Sequence, residues 1–181
     1  STNILSRFII FTSLKNIIKM TAIGTAHDSA FRGCTALESI DVTKLHAVGS
    51  NVFAECTSLS EINTSNETAV GYGMFKGCTA LRQIEINCAG LGAGAFSGCV
   101  NLQTVELNAN NCDIGARAFE NCSSLSAVNL GTNGSQSINI LSIGDYAFKN
   151  CSGLQNAAEL MTAAEAIGLG AFENVGGRDG A

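Results

Sequence analysis

The chain has no proline and no tryptophan, and only 14% of its 181 residues are charged, with ten Lys or Arg against fifteen Asp or Glu. A phosphate-binding surface is built mainly from clustered Lys and Arg, and no such cluster exists, so a nucleic-acid partner is excluded. The longest apolar run near the start, Phe8-Ile9-Ile10-Phe11, is bracketed by Arg7 and followed by Lys15 and Lys19, which is far short of the roughly 20 residues a bilayer span needs. No transmembrane segment is expected. An initiator Met and a signal-peptide pattern are also missing, which fits a processed product or a piece of something longer. C-x-x-C spacing is absent, which removes the commonest frame for a structural zinc site.

What the chain does have is apolar residues at 46%, eight cysteines and nine phenylalanines. That balance supports a folded domain over a disordered one. Six phenylalanines, Phe31, Phe53, Phe75, Phe96, Phe119 and Phe148, each precede a cysteine by three residues and a leucine by six. In the first five of these units a β-branched residue follows three further on: Ile40, Ile62, Ile84, Val105 and Val128. Ala157 takes that place in the sixth. Upstream, an apolar residue and a glycine end four residues before the aromatic, as in "AVGSNVF", "DIGARAF" and "AIGLGAF". Phe8 and Phe172 extend the frame to both ends, with Phe11 and Val175 in the cysteine slot. The eight units are spaced 23, 22, 22, 21, 23, 29 and 24 residues apart, so length varies outside the frame. The longest unit carries "GTNGSQSINIL", read as a surface loop.

A period of 20 to 29 with L-x-x-I-x-L is the signature of leucine-rich repeats. The full frame, "IG..AF..C..L..I.L", resembles the BspA-like (Treponema-type) leucine-rich repeat family over roughly residues 8 to 175, departing from it in the missing proline that often follows the strand. The resemblance implies an α/β repeat solenoid with a parallel β-sheet on one face and short helical or turn segments on the other. Residues 1–181 would then form a single domain of about eight units starting near Phe8, Phe31, Phe53, Phe75, Phe96, Phe119, Phe148 and Phe172. It also implies cell-surface or secreted proteins that adhere to host or matrix proteins through the array.

In "LESIDV" the alternation places Leu37, Ile40 and Val42 inward and Ser39 and Asp41 outward. One exposed column then reads Asp41, Asn63, Glu85, Glu106, Asn129, and its neighbour Ser39, Glu61, Gln83, Thr104, Ala127. Strands pair at about 4.8 Å, so Glu85 and Glu106 stand side by side, an arrangement that a cation or a partner's Lys or Arg would relieve. Asp41, Glu61, Asn63, Glu85, Glu106 and Asn129 are the candidate partner-binding residues. The plainer reading is a solvated face that blunts aggregation. The glycine before each aromatic is read as the site of a sharp turn, serving positive φ and close backbone approach. "GLGAGAF" is no nucleotide loop, because the same glycine recurs in unrelated units and no basic residue follows it.

The motif cysteines form a line, one per coil, whereas a zinc site needs about four ligands converging on a point; no metal or other cofactor is expected. Successive motif cysteines are near enough for disulfides, but their side chains point the same way, which makes the near-90° torsion awkward. Reduced, buried thiols follow, acting as small hydrophobes with raised pKa. Cys88 and Cys112 lie outside the frame in adjacent coils and form the candidate disulfide.

No catalytic constellation emerges. His27, Asp28 and Ser29 have triad residue types, but consecutive residues do not adopt relayed triad geometry, and the chain is read as no enzyme. Two functions remain: an extracellular or cell-surface protein that binds a host, matrix or like protein through its strand face, or a structural subunit stacking end to end into a filament or surface layer, since neither end reads as a polar cap. Asn66 and Asn133 begin N-x-S/T triplets in expected loops and are candidate glycosylation sites.

Overall fold

The computed structural model describes residues 24–43, 45–64, 70–87, 90–108, 111–133 and 136–176. The Phe8 unit, Asn66 and Cys88 lie outside them. Strands numbered in chain order are β1 (Gly24–Ala26), β2 (Ser39–Asp41), β3 (Leu45–Val48), β4 (Glu61–Asn63), β5 (Gln83–Ile86), β6 (Gly90–Leu91), β7 (Thr104–Leu107), β8 (Cys112–Ile114), β9 (Ala127–Leu130), β10 (Thr132–Asn133), β11 (Gln136–Ser137), β12 (Ile140–Ile143) and β13 (Ala164–Ile167), with one helix, α1 (Ala157–Ala163), before the last strand.

The chain winds as a solenoid with three sides. The L-x-x-I-x-L segments form the expected parallel sheet, with β2 beside β4 and β5 beside β7 beside β9. The alternation is as read: β5 runs exposed, buried, exposed, buried, because period-two patterning turns Ile84 and Ile86 inward. No ladder joins β4 to β5 among the described residues; Thr64 Oγ1 donates to the Glu85 carbonyl at 3.0 Å across that step. The return adds a second parallel ribbon that one strand per unit does not include, with β1 paired to β3 and β6, β8, β12 and β13 side by side. Its strands are the apolar residues before each glycine, which bury Leu91, Ile114 and Ile143.

The third side is the turn around each phenylalanine. Seven rings from Phe31 to Phe172 stack face to face in single file, with centroids 5.3–5.6 Å apart. Backbone amides at positions −2, 0 and +2 relative to each ring donate to carbonyls at −3, −1 and +1 of the next coil. For the Phe96 coil these are Gly94 to Ala116 at 2.9 Å, Phe96 to Ala118 at 2.8 Å and Gly98 to Glu120 at 2.8 Å. Positions −2 and +2 have positive φ in every coil from Phe31 to Phe172, and ten of those fourteen residues are Gly or Asn, the residues that enter the left-handed region at least cost.

The recurrent glycine sits elsewhere, at −4, and has no positive φ. Close approach of the preceding coil calls for it at Gly49, Gly92, Gly115, Gly144 and Gly168, and Gly71 has more room. A Cβ on Gly115 would lie 2.5 Å from Leu91 O and 2.7 Å from Ala93 N, both backbone atoms of the coil before. The "GTNGSQSINIL" insertion is a short antiparallel hairpin, with Thr132 opposite Ser137 and Asn133 opposite Gln136. In the unit with Ala157 in the β-branched slot, the strand is replaced by α1, whose Leu160 is fully buried. Asn156 closes the sheet there: its amide accepts from Val128 N at 3.2 Å and donates to Val128 O at 2.8 Å. It supplies what the next strand would have given β9.

Candidate functional site: the strand face

Each candidate side chain is carried outward by a strand whose alternate residues are buried. Asp41 pairs with Asn63, and Glu85 pairs with Glu106, which pairs with Asn129. The column is therefore brought together in two groups, divided at the step from β4 to β5. Glu61, Asn63, Glu85, Glu106 and Asn129 are exposed, while Asp41 is half-buried.

The adjacent carboxylates are held by amides of the following coil. Asn108 Nδ2 donates to Glu85 Oε1 at 2.8 Å, and Asn129 Nδ2 donates to Glu106 Oε1 at 2.6 Å. Each glutamate thus keeps one oxygen in an intramolecular bond and presents the other to solvent. Asp41 Oδ1 turns back on its own strand end, accepting from Thr43 N at 3.0 Å and Thr43 Oγ1 at 2.6 Å, an Asx-type turn. Asn108 is a member of this face that column reading missed; it lies two residues beyond Glu106, on the same side of the strand.

Among the described residues, no three His, Cys, Asp or Glu side chains gather in a way that would hold a metal ion, and no helix is long and apolar enough to cross a membrane. His27 is exposed. The candidate Cys88–Cys112 bridge rests on a residue outside the described ones; Cys112 itself is fully buried in β8. Asn133 lies in β10, and Asn66 is not described.

The motif thiols are more than apolar filling. Cys56, Cys78, Cys99, Cys122 and Cys151 are buried and unbridged. Each Sγ–H donates to the carbonyl of the phenylalanine one coil earlier, at 3.0–3.3 Å. That same carbonyl already accepts an amide three residues on, as Phe75 does from Cys78, so the thiol fills its second lone pair. Burial pushes Cys56, Cys99 and Cys151 up to about 12, and Cys78 and Cys122 well above the usual thiol range. A thiol so protonated is a poor nucleophile and metal ligand.

On the turn side, Tyr146 lies between two cations, with Arg117 Cζ 4.9 Å and Lys149 Nζ 5.0 Å from the ring centre. Glu120 pairs with Arg117 at 2.9 Å and Glu173 with Lys149 at 2.9 Å, and the Glu173 hydrogen bond holds the Lys149 pKa above its ordinary value. These charges are neutralised within the chain.

Parallel coils with buried aromatic, thiol, leucine and β-branched rungs define a leucine-rich repeat solenoid. A family model described as the BspA type leucine rich repeat region matches residues 4–90 and 70–177, and the chain belongs to that family. Similar solved structures include a leucine rich cell surface protein of Faecalibacterium prausnitzii, 26% identical with a TM-score of 0.55, covering 61% of this chain and 30% of that one. A leucine-rich repeat protein of Bacteroides ovatus is 22% identical with a TM-score of 0.56, covering 84% and 45%. The Treponema pallidum leucine rich repeat protein is 24% identical with a TM-score of 0.55, covering 83% and 69%. This chain therefore spans less than half the length of the first two structures. A search of curated proteins finds no match.

Proposed function

We propose that the chain is a non-catalytic scaffold at the cell surface or outside the cell, a single solenoid domain over residues 1–181 that adheres to a protein partner through the strand face. The observation that carries this is the pair Glu85 and Glu106, in register on adjacent strands and each tied at one oxygen by Asn108 or Asn129. The tie fixes two carboxylates in place and leaves two oxygens directed outward, a receptor for a Lys or Arg of a basic partner. The cell-surface description of the Faecalibacterium prausnitzii structure supports the location.

The test is binding to an immobilised array of Lys/Arg-rich and Asp/Glu-rich peptides. Exposed ion pairs contribute about 0.2–1 kcal/mol each, so Glu85→Ala with Glu106→Ala should weaken binding to basic peptides roughly 2- to 30-fold and flatten its salt dependence. Affinity that is the same before and after the double substitution removes this surface from consideration.

A further inference from the structure

The coils are not joined equally. On the return ribbon the amide at −4 donates to the carbonyl at −5 of the coil before: Gly49 to Ala26, Gly92 to Val70, Gly115 to Leu91, Gly144 to Ile114 and Gly168 to Ile143, at 2.7–2.9 Å. Gly71 makes no such bond to Val48, and a Cβ there would stand 3.4 Å from the coil before, where the other five would come within 2.5 Å. The entrance to the strand face repeats this. Ser60 donates to Glu38, Gln103 to Arg82, Ser126 to Gln103 and Gln155 to Ser126, whereas Arg82 makes no bond to Ser60. Both gaps fall at one step, between the Phe53 and Phe75 coils, and Val48, Ser60, Gly71 and Arg82 are all described residues.

A single residue accounts for the strand side. Val42, Ile86 and Leu107 fill the last inward slot of L-x-x-I-x-L and are buried, while the Phe53 coil has Thr64 there. Val42 N donates to Asn63 O of the next strand at 3.0 Å. One coil on, the equivalent carbonyl, Glu85 O, instead accepts from the Thr64 hydroxyl at 3.0 Å. The side chain takes the acceptor that the backbone uses elsewhere, and it stands between the strands. The core registers the gap: Val48 and Ile62 are only partly buried, whereas their equivalents Val70, Leu91, Ile40 and Ile84 are buried.

The turn side of the same step is unbroken. Asn51 donates to Tyr72 at 2.8 Å, Phe53 to Met74 at 2.9 Å and Glu55 to Lys76 at 2.7 Å, and the Phe53 and Phe75 rings stack at 5.6 Å. We infer that this step is a hinge, set by Thr64, at which two rigid blocks of coils pivot about the turn-side bonds. Opening breaks few contacts, because two of the three sides have little to break. It separates Asn63 from Glu85 and changes the curvature of the strand face, while the turn side keeps its length. This goes beyond the strand-face reading and stands independently of it.

Residual dipolar couplings of the full chain in a weakly aligning medium test it, because they register any reorientation faster than milliseconds. The larger block, from Val70 onward, carries the alignment. Amides from Gly24 to Thr64 should show a degree of order on the order of 1.5-fold smaller than those from Val70 to Gly176. One value for both blocks overturns the hinge, and this comparison needs no variant. Thr64→Ile, which restores the aliphatic slot, should bring the two values together and slow amide exchange at Gly71 and Arg82 on the order of 10-fold; Thr64→Ser, which keeps the hydroxyl, should leave both as in wild type. Slow exchange at the Phe53 and Phe75 amides shows that a variant is folded, and Thr64→Val takes the place of Thr64→Ile if that one is not. Two values that persist without the hydroxyl, or that merge in Thr64→Ser, overturn the role of Thr64.

Discussion

The glycine at −4 separates steric from conformational reasoning within one molecule. For Gly115→Ala, the new methyl would meet Leu91 O at 2.5 Å, Ala93 N at 2.7 Å and Gly92 C at 2.8 Å, all of them backbone. No side chain can swing aside, so the coils must part by about 1 Å to reach an unstrained contact near 3.5 Å. That movement stretches the neighbouring bonds, Gly115 N to Leu91 O at 2.9 Å and Gly94 N to Ala116 O at 2.9 Å, beyond hydrogen-bonding range. Two weakened bonds at about 1 kcal/mol each, together with overpacking of about 1–3 kcal/mol, less about 0.4–1 kcal/mol gained by stiffening the unfolded chain, leave a net loss of roughly 2–4 kcal/mol. At about 2–4 °C per kcal/mol for a chain of this size, the midpoint should fall by roughly 5–15 °C. Gly71→Ala occupies the same slot, but its methyl would meet Gly49 O at 3.4 Å, and its midpoint should stay within about 2 °C of wild type. Thermal and urea melts followed by circular dichroism read both. Equal losses for the two variants would refute the steric argument and point instead to a shared backbone requirement.

The thiol ladder carries a pH dependence. The folded pKa values of Cys56, Cys99 and Cys151 are raised to about 12 from 9.0 by burial, so the unfolded chain releases these protons first. Stability should be constant below about pH 8 and fall as pH rises from about 9 towards 12, at up to about 1.4 kcal/mol per thiol per pH unit. Urea midpoints between pH 7 and 11 check this, and replacing the three cysteines with valine should make the decline shallower, leaving the share that Cys78 and Cys122 contribute. In native protein at pH 8 the motif thiols should react with a disulfide reagent orders of magnitude more slowly than in urea; equal rates would refute burial. Asn156→Leu should remove both bonds to Val128 and lower stability by about 1–3 kcal/mol, with faster amide exchange at Val128 and unchanged exchange at Val105.

The repeat frame is legible because burial repeats with the chain. Phe53, Cys56, Leu59 and Ile62 fall at three-residue steps, and a position that is buried in every coil is apolar in every unit. The outward column is legible for the same reason, since strand alternation places Glu85 beside Glu106 once the register is set by Ile84 and Val105. What one coil does to the next is harder to read. The thiol bond depends on a carbonyl some two dozen residues earlier, and the amides that hold Glu85 and Glu106 come from the following strand. Some signals were present and bypassed. "FRGC", "FKGC", "FSGC", "FENC" and "FKNC" place Gly or Asn two residues after the aromatic, which marks a left-handed turn. "AAELMTA" has the composition of a helix and lacks the β-branched residue of its neighbours, which foretells α1 in a strand's place.

The Tyr146 ring between Arg117 and Lys149 makes the chain self-reporting. With no tryptophan to capture the excitation, emission comes from the two tyrosines, and they sit three coils apart. Tyr72 is open to solvent at 59%, so its environment changes little on unfolding, while Tyr146 loses two cations at once. A fluorescence melt therefore watches the C-terminal coils, and circular dichroism watches all of them. Coils in a one-dimensional stack are coupled only to neighbours, so any gap between the two curves measures how far a break at one end travels before the other end responds.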